Sequence, residues 1–314
     1  MRSLNYRVES PSCLICSSLD LMLVFVAQDL VTRSGKEFRI VECRRCGHMQ
    51  TNPRPVQDDI GLFYPSNYAP FLLNRVRITF GASKKFSLKN LFAAGFHIPN
   101  TSYRGKKVLE LGCSTGLFLD SLQKMGADVT GVELSEGAVR VARSRGLNIY
   151  NGTIQEIPIE NRYDFIFAWM VLEHLFYPKE DLQRINSLLD DEGVLVFSVP
   201  NIASLDFKIF RKYWYALQVP THISHFNKKT IKQILEECGF EIVLMTEPMT
   251  SANYIYSLKN ICVENNLYRI SGLIDVFMGS KWTFLLRKSV DLLVRILGQS
   301  GRMIVWARKR PSDA

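Results

Sequence analysis

KKVLELGCSTGLF, Lys106 to Phe118, is the stretch that decides the fold. An apolar run ends in an acid, Glu110, and Gly112 and Gly116 then bracket a turn. A segment of helical periodicity, GLFLDSLQKMG, follows. This reads as strand, glycine turn and helix. Outward from it the same alternation recurs. DVTGVEL is a strand, SEGAVRVARSRG a helix and LNIYNG a short strand. YDFIFAW, a helix through DLQRINSLL with Pro178 near its start, and the strand GVLVFSV come next. KKTIKQILEECG, stopped by Gly239, is a further helix, and EIVLMTE and MIVWARK close the series. Repeated βα units predict an α/β chain with a parallel, doubly wound sheet.

The turn itself says what such a sheet would hold. A pyrophosphate-binding turn needs G-x-G-x-x-G, whereas this one is G-x-x-x-G. Its glycines admit an amino-acid moiety close to the backbone, and Glu110 supplies negative charge for an ammonium or sulfonium group. Glu133, at the end of the second strand, is placed to accept hydrogen bonds from two ribose hydroxyls.

Together these residues resemble motif I and the acidic motif after it in class I S-adenosylmethionine-dependent methyltransferases. The resemblance continues through Tyr163–His174, Asp191–Asn201 and Thr221–Phe226. It implies a Rossmann-like, seven-stranded sheet whose last strand, MIVWARK, runs antiparallel. It also implies a cofactor-facing set of Glu110, Gly112, Cys113, Ser114, Gly116, Glu133, Leu134, Thr153, Ile154 and Trp169. Thr153 stands where the family often has an Asp contacting adenine. Glu173 and His174 after the fourth strand, and His222 and His225 after the fifth, are the candidate proton acceptors, because ligands bind at the carboxyl edge of such sheets.

Before the sheet, Cys13-x-x-Cys16 and Cys43-x-x-Cys46 flank two strand-like stretches joined by the turn Arg33–Lys36. Two such knuckles on a hairpin suit a four-thiolate structural zinc. With CGHMQTNPRP they resemble the N-terminal zinc-binding, zinc-ribbon-like domain of a methyltransferase subgroup that includes sugar C-methyltransferases and enzymes of surface-glycan biosynthesis. The expected organisation is a zinc-ribbon-like domain over 1–57, a basic helical lid or linker over 58–105, and a methyltransferase domain over 106–314 with a helical insertion at 248–301.

Composition narrows the partners. The chain has 314 residues, 47% of them hydrophobic, which excludes intrinsic disorder and a disulfide-rich miniprotein. Its net charge is +9, and the excess is regional. Residues 60–109 hold eight basic residues and no acid, and 280–310 hold eight against Asp291 alone. Seven cysteines, four in metal-like spacing, and no signal peptide point to a reducing, cytoplasmic setting. The basic amphipathic stretch Phe284–Leu297 suggests peripheral contact with an anionic inner membrane face. The expected activity is methyl transfer to a small-molecule acceptor, preferentially a sugar nucleotide or lipid-linked saccharide. The alternatives are a quinol or polyketide O-methyltransferase, a nucleic-acid methyltransferase and a noncatalytic binding module. Nucleic acid is disfavoured because AlaTrpMetVal follows the fourth strand, where amino-methylating enzymes carry an Asn/Asp-Pro-Pro-aromatic motif.

Overall fold

The computed structural model describes residues 5–64, 78–81, 96–248, 252–280, 283, 289 and 300–311. In chain order, the first part contains β1 (Val8–Glu9), β2 (Leu21–Gln28), β3 (Glu37–Cys43), β4 (Met49–Thr51) and β5 (Arg54–Pro55). A short 3-10 turn, Ile60–Phe63, and a parallel pair, β6 (Ile78–Gly81) and β7 (Phe96–Pro99), follow. Those elements are what is described of the expected basic helical lid or linker, and they are a 3-10 turn and strands rather than α-helix. Residues 65–77 and 82–95, with Arg75, Lys84, Lys85 and Lys89, lie outside the described residues. So do 284–288 and 290–297 of the amphipathic stretch.

The central sheet uses β8 (Lys107–Leu111), β9 (Asp128–Glu133), β10 (Asn148–Asn151), β11 (Tyr163–Trp169) and β12 (Leu189–Pro200). Beyond β13 (Ser224–His225), it is completed by β14 (Phe240–Thr246) and β15 (Arg302–Lys309). Its seven strands lie in the order β10-β9-β8-β11-β12-β15-β14. The pairs from β10 to β12 are parallel, and β15 runs antiparallel between β12 and β14. The helices are α1 (Leu117–Lys124), α2 (Glu136–Ser144), α3 (Pro178–Leu188), α4 (Leu205–Phe210), α5 (Lys228–Glu237), α6 (Ala252–Glu264) and α7 (Tyr268–Gly279). α6 and α7 occupy the connection expected to be a helical insertion.

The strands read as unbroken apolar runs because both faces of the sheet are covered. On β11, Phe165, Phe167 and Trp169 enter one buried cluster with Phe118 and Val139. Ile166 and Ala168, pointing the other way, enter a second with Leu182, Ile231 and Phe240. Alternation along one strand therefore feeds two core layers.

The N-terminal module is joined to this body through its own sheet. β2, β3 and β4 form an antiparallel meander whose fourth strand is β13, from the C-terminal half of the chain. Cys13, Ile15, Cys43 and Cys46 share a buried cluster with Leu111 and Phe226. A buried Arg54 fastens the exit of the module. Its Nε donates to Glu9 at 2.8 Å, Nη1 donates to the Phe176 carbonyl at 3.3 Å, and the guanidinium lies 4.4 Å from the Phe176 ring centre.

Candidate functional site

The β8–α1 turn is built from residues in the left-handed region: Gly112 at φ 63°, Ser114 at 50° and Gly116 at 77°. A Cβ on Gly112 would come within 2.7 Å of Val171 Cγ2, and one on Gly116 would run into Leu147 and Ala142. Gly116 is therefore needed for packing as well as conformation. The turn is fastened to Glu133, whose two oxygens accept the backbone N–H of Ser114 at 2.9 Å and of Ser135 at 2.8 Å. A carboxylate has about four acceptor positions, so these bonds do not exhaust its capacity to accept.

Burial raises the Glu133 carboxyl, although the N–H groups of Ser135, Ser114 and Leu134 oppose the rise. Glu110 is also buried, and Oε2 has no hydrogen-bond partner. Burial, and then the charge of Glu133, push it well above the usual carboxylate range. An acid so placed gains most from a cationic ligand. Leu134, next to Glu133, leaves a large apolar side chain 69% exposed at the same edge. Cys113 is buried, and burial raises its thiol strongly, which makes it a filler of the turn.

Thr153 caps the 3-10 turn Ile154–Glu156. Its N–H and hydroxyl both donate to Glu156 Oε2, at 2.6 and 2.7 Å, and its oxygen accepts from Gln155 N–H at 3.3 Å. Ile154 is buried behind it. Trp169 closes β11, stacked on Phe167 at 5.8 Å and edge-on to Phe118 at 5.6 Å. These positions all lie along the carboxyl edge of β8, β9, β10 and β11.

A family model described as a methyltransferase domain matches residues 88–244, half of the chain. The chain belongs to this methyltransferase family. Ubiquinone biosynthesis O-methyltransferase of Glaesserella parasuis is 32% identical to it over 152 residues, which cover 44% of this chain and 64% of that protein. The enzyme of the same name from Coxiella burnetii is 32% identical over 145 residues, covering 44% and 59%. The chain thus spans about three fifths of the length of these curated relatives. A solved S-adenosylmethionine-dependent methyltransferase from Mesorhizobium loti aligns over 67% of this chain and 93% of that one, with 16% identity and a TM-score of 0.46. The turn and the acids described above fall within the matched residues.

The candidate proton acceptors form a second group. Glu173, His174 and His222 each bring one ligand-capable atom within 4.8 Å of the others. The His174 and His222 rings meet edge to face at 4.7 Å. His174 Nδ1 lies 2.8 Å from the Thr221 carbonyl and 3.0 Å from the Tyr64 hydroxyl, and His222 Nδ1 lies 2.8 Å from the Ala216 carbonyl. A carbonyl only accepts, so both Nδ1 atoms carry hydrogen and both Nε2 atoms keep their lone pairs. Burial lowers His174 to about 4 and takes His222 well below its ordinary value, helped by the charges of His174 and His225. Glu173 is fully buried with no partner on either oxygen, and burial raises it to about 8 against the pull of Arg302. His225 lies apart from this trio, with Nε2 3.2 Å from Thr51 Oγ1. Tyr64 and Thr51 were not legible as site residues, since each meets its histidine from more than a hundred positions away.

The four cysteines also converge. Cys13 and Cys46 sulfurs are 3.5 Å apart, as are those of Cys16 and Cys43, and all four lie within 4.8 Å. A tetrahedron with Zn–S arms of about 2.3 Å has edges of about 3.8 Å, so the donor set fits zinc. Zinc with four thiolates carries a net double negative charge. Arg45, Lys179 and Lys229 line the 330 Å³ cavity that opens beside Cys16 and Cys46 together with Glu237, which pairs with Lys179, so the lining is net positive and would partly offset that charge. Among the described residues no helix is long and apolar enough to cross a membrane.

Proposed function

We propose that the chain transfers the methyl group of S-adenosylmethionine to a hydroxyl oxygen of a small-molecule acceptor. Cofactor would be held by Glu110, the Gly112–Gly116 turn with Cys113 and Ser114, Glu133, Leu134, Thr153, Ile154 and Trp169. The carrying observation is the pair of neutral imidazoles, His174 and His222, whose Nε2 lone pairs are preserved by carbonyls on Nδ1. Either can take the acceptor proton as oxygen attacks the methyl carbon and the sulfonium leaves as thioether. Glu173, protonated near neutrality, is available to donate a hydrogen bond to the acceptor. His225 is a third candidate base through Nδ1. Positioning and exclusion of water supply most of the rate.

A quinol-type phenol is supported by the named relatives. A saccharide hydroxyl is supported by the cysteine module, which lies outside the matched residues 88–244 and resembles that of glycan methyltransferases. The module is proposed to hold one structural zinc through Cys13, Cys16, Cys43 and Cys46. Labelled-methyl cofactor incubated separately with a catechol and with sugar nucleotides tests the reading. Label should enter one class at an oxygen, and the His174→Gln or His222→Gln variant should turn over roughly 100-fold more slowly. Label on carbon or nitrogen, or both variants at wild-type rate, would overturn it.

A further inference from the structure

β4 links the cysteine module to the segment that carries His222 and His225. It leaves the second knuckle after Cys46, pairs with β3 on one side and takes β13 on the other, with Gln50 opposite Ser224 and Met49 opposite His225. Gln50 is buried and ties β4 back to the first knuckle. Its Oε1 accepts Leu14 N–H at 3.0 Å, and its Nε2 donates to the Ser12 carbonyl at 3.2 Å. The next residue, Thr51, is fully buried and reaches the other way. Its N–H donates to the Ile223 carbonyl at 2.9 Å, and its hydroxyl lies 2.9 Å from the His222 carbonyl and 3.2 Å from His225 Nε2.

A hydroxyl has one proton. The His222 carbonyl can only accept, so Oγ1 donates there and must receive its second bond from His225. The His225 ring is then the Nε2–H tautomer, with its lone pair on Nδ1. One side chain thus holds the backbone at 222–223 and decides which nitrogen of His225 is basic.

We propose that Thr51, contributed by the cysteine module, is a positioning residue of the methyl-transfer site. It locks the 222–225 segment in register and sets the tautomer of His225, which makes the module a working part of the acceptor side. This rests on the reading that the segment faces the acceptor.

The chain has five histidines, so long-range proton–nitrogen spectra of the labelled full-length protein with S-adenosylmethionine bound can resolve each ring. In wild type, His225 is expected as Nε2–H. Thr51→Val keeps the shape of the side chain but removes the hydroxyl, and should release His225 from that single tautomer and move the His222 signals. Thr51→Ser should restore the wild-type spectrum. With catechol as the acceptor probe, Thr51→Val should lower kcat at least 10-fold at nearly unchanged cofactor affinity, and Thr51→Ser should recover most of it. An Nδ1–H tautomer for His225 in wild type would overturn the proposal without any variant. So would a Thr51→Val protein with unaltered histidine spectra, or a Thr51→Ser protein of normal melting temperature that fails to restore them. The spectra need no acceptor, so the positioning claim is read separately from the acceptor assignment.

Discussion

Glu133 is the residue on which most of the cofactor reading turns, since it braces the turn and keeps acceptor capacity in reserve. Glu133→Ala should weaken S-adenosylmethionine binding by about 1.5–3 kcal/mol, measured by calorimetry. Equal affinity in the two proteins would remove the assignment. Glu173 makes a different test, because its folded pKa of about 8 lies above the ordinary carboxylate value of about 4.3. Stability from this group is complete below pH 4 and is lost as pH rises through 8. Relative to Glu173→Gln, the wild type should therefore lose a few kcal/mol between pH 5 and pH 8.5. Urea unfolding at the two pH values checks it, and parallel pH profiles would refute it. Side chains of this kind were legible from the sequence as members of motifs. Their partners were not: no local pattern links Tyr64 to His174, or Thr51 to His225, since those contacts arise only when distant segments are packed.

At the scale of elements, the sheet was readable because β8, β9, β11 and β12 carry apolar residues on both faces and each parallel crossover brings a periodic helix. β13 escaped notice for the opposite reason. Two residues, Ser224 and His225, hold no period, and their strand character comes wholly from pairing with β4. The β8–α1 turn offers the sharpest element-level prediction. Gly116→Ala places a methyl against Leu147 at a φ of 77°, so it should cost roughly 1–3 kcal/mol of stability by strain alone. Denaturant titration should show the loss, with S-adenosylmethionine binding weakened in step. An unchanged midpoint would mean that the α1–α2 packing yields more easily than the geometry implies.

For the molecule as a whole, the sequence suggested a small zinc-bearing domain beside a larger one, and the structure joins the two through a common sheet and a common core. Elemental analysis should find one zinc per chain. A substoichiometric amount in protein purified without chelator would count against the four-cysteine site. The interior also sets the response to acid. Burial lowers His174 to about 4, His225 to about 3 and His222 well below 6.5. Stability from these neutral imidazoles is present above pH 6.5 and is lost as pH falls through the folded values. Each adds up to about 1.4 kcal/mol per pH unit. Glu173 works in the opposite direction over this range, so the test is made against His174→Gln: between pH 7 and pH 5 urea unfolding should show the wild type losing more stability than the variant, and equal losses would refute it. The pairing of β4 with β13 has a further consequence during synthesis. Thr51 and His225 are separated by 174 positions, so at about 5–20 residues per second β4 waits roughly 10–35 s for its neighbour. The knuckles, 26 residues apart, can capture their metal early. The nascent chain would then carry a closed cysteine module with a bare strand edge, a template for pairing with other chains. Ribosome-bound chains arrested before His225 should need a chaperone to stay soluble, whereas those arrested well beyond it should not.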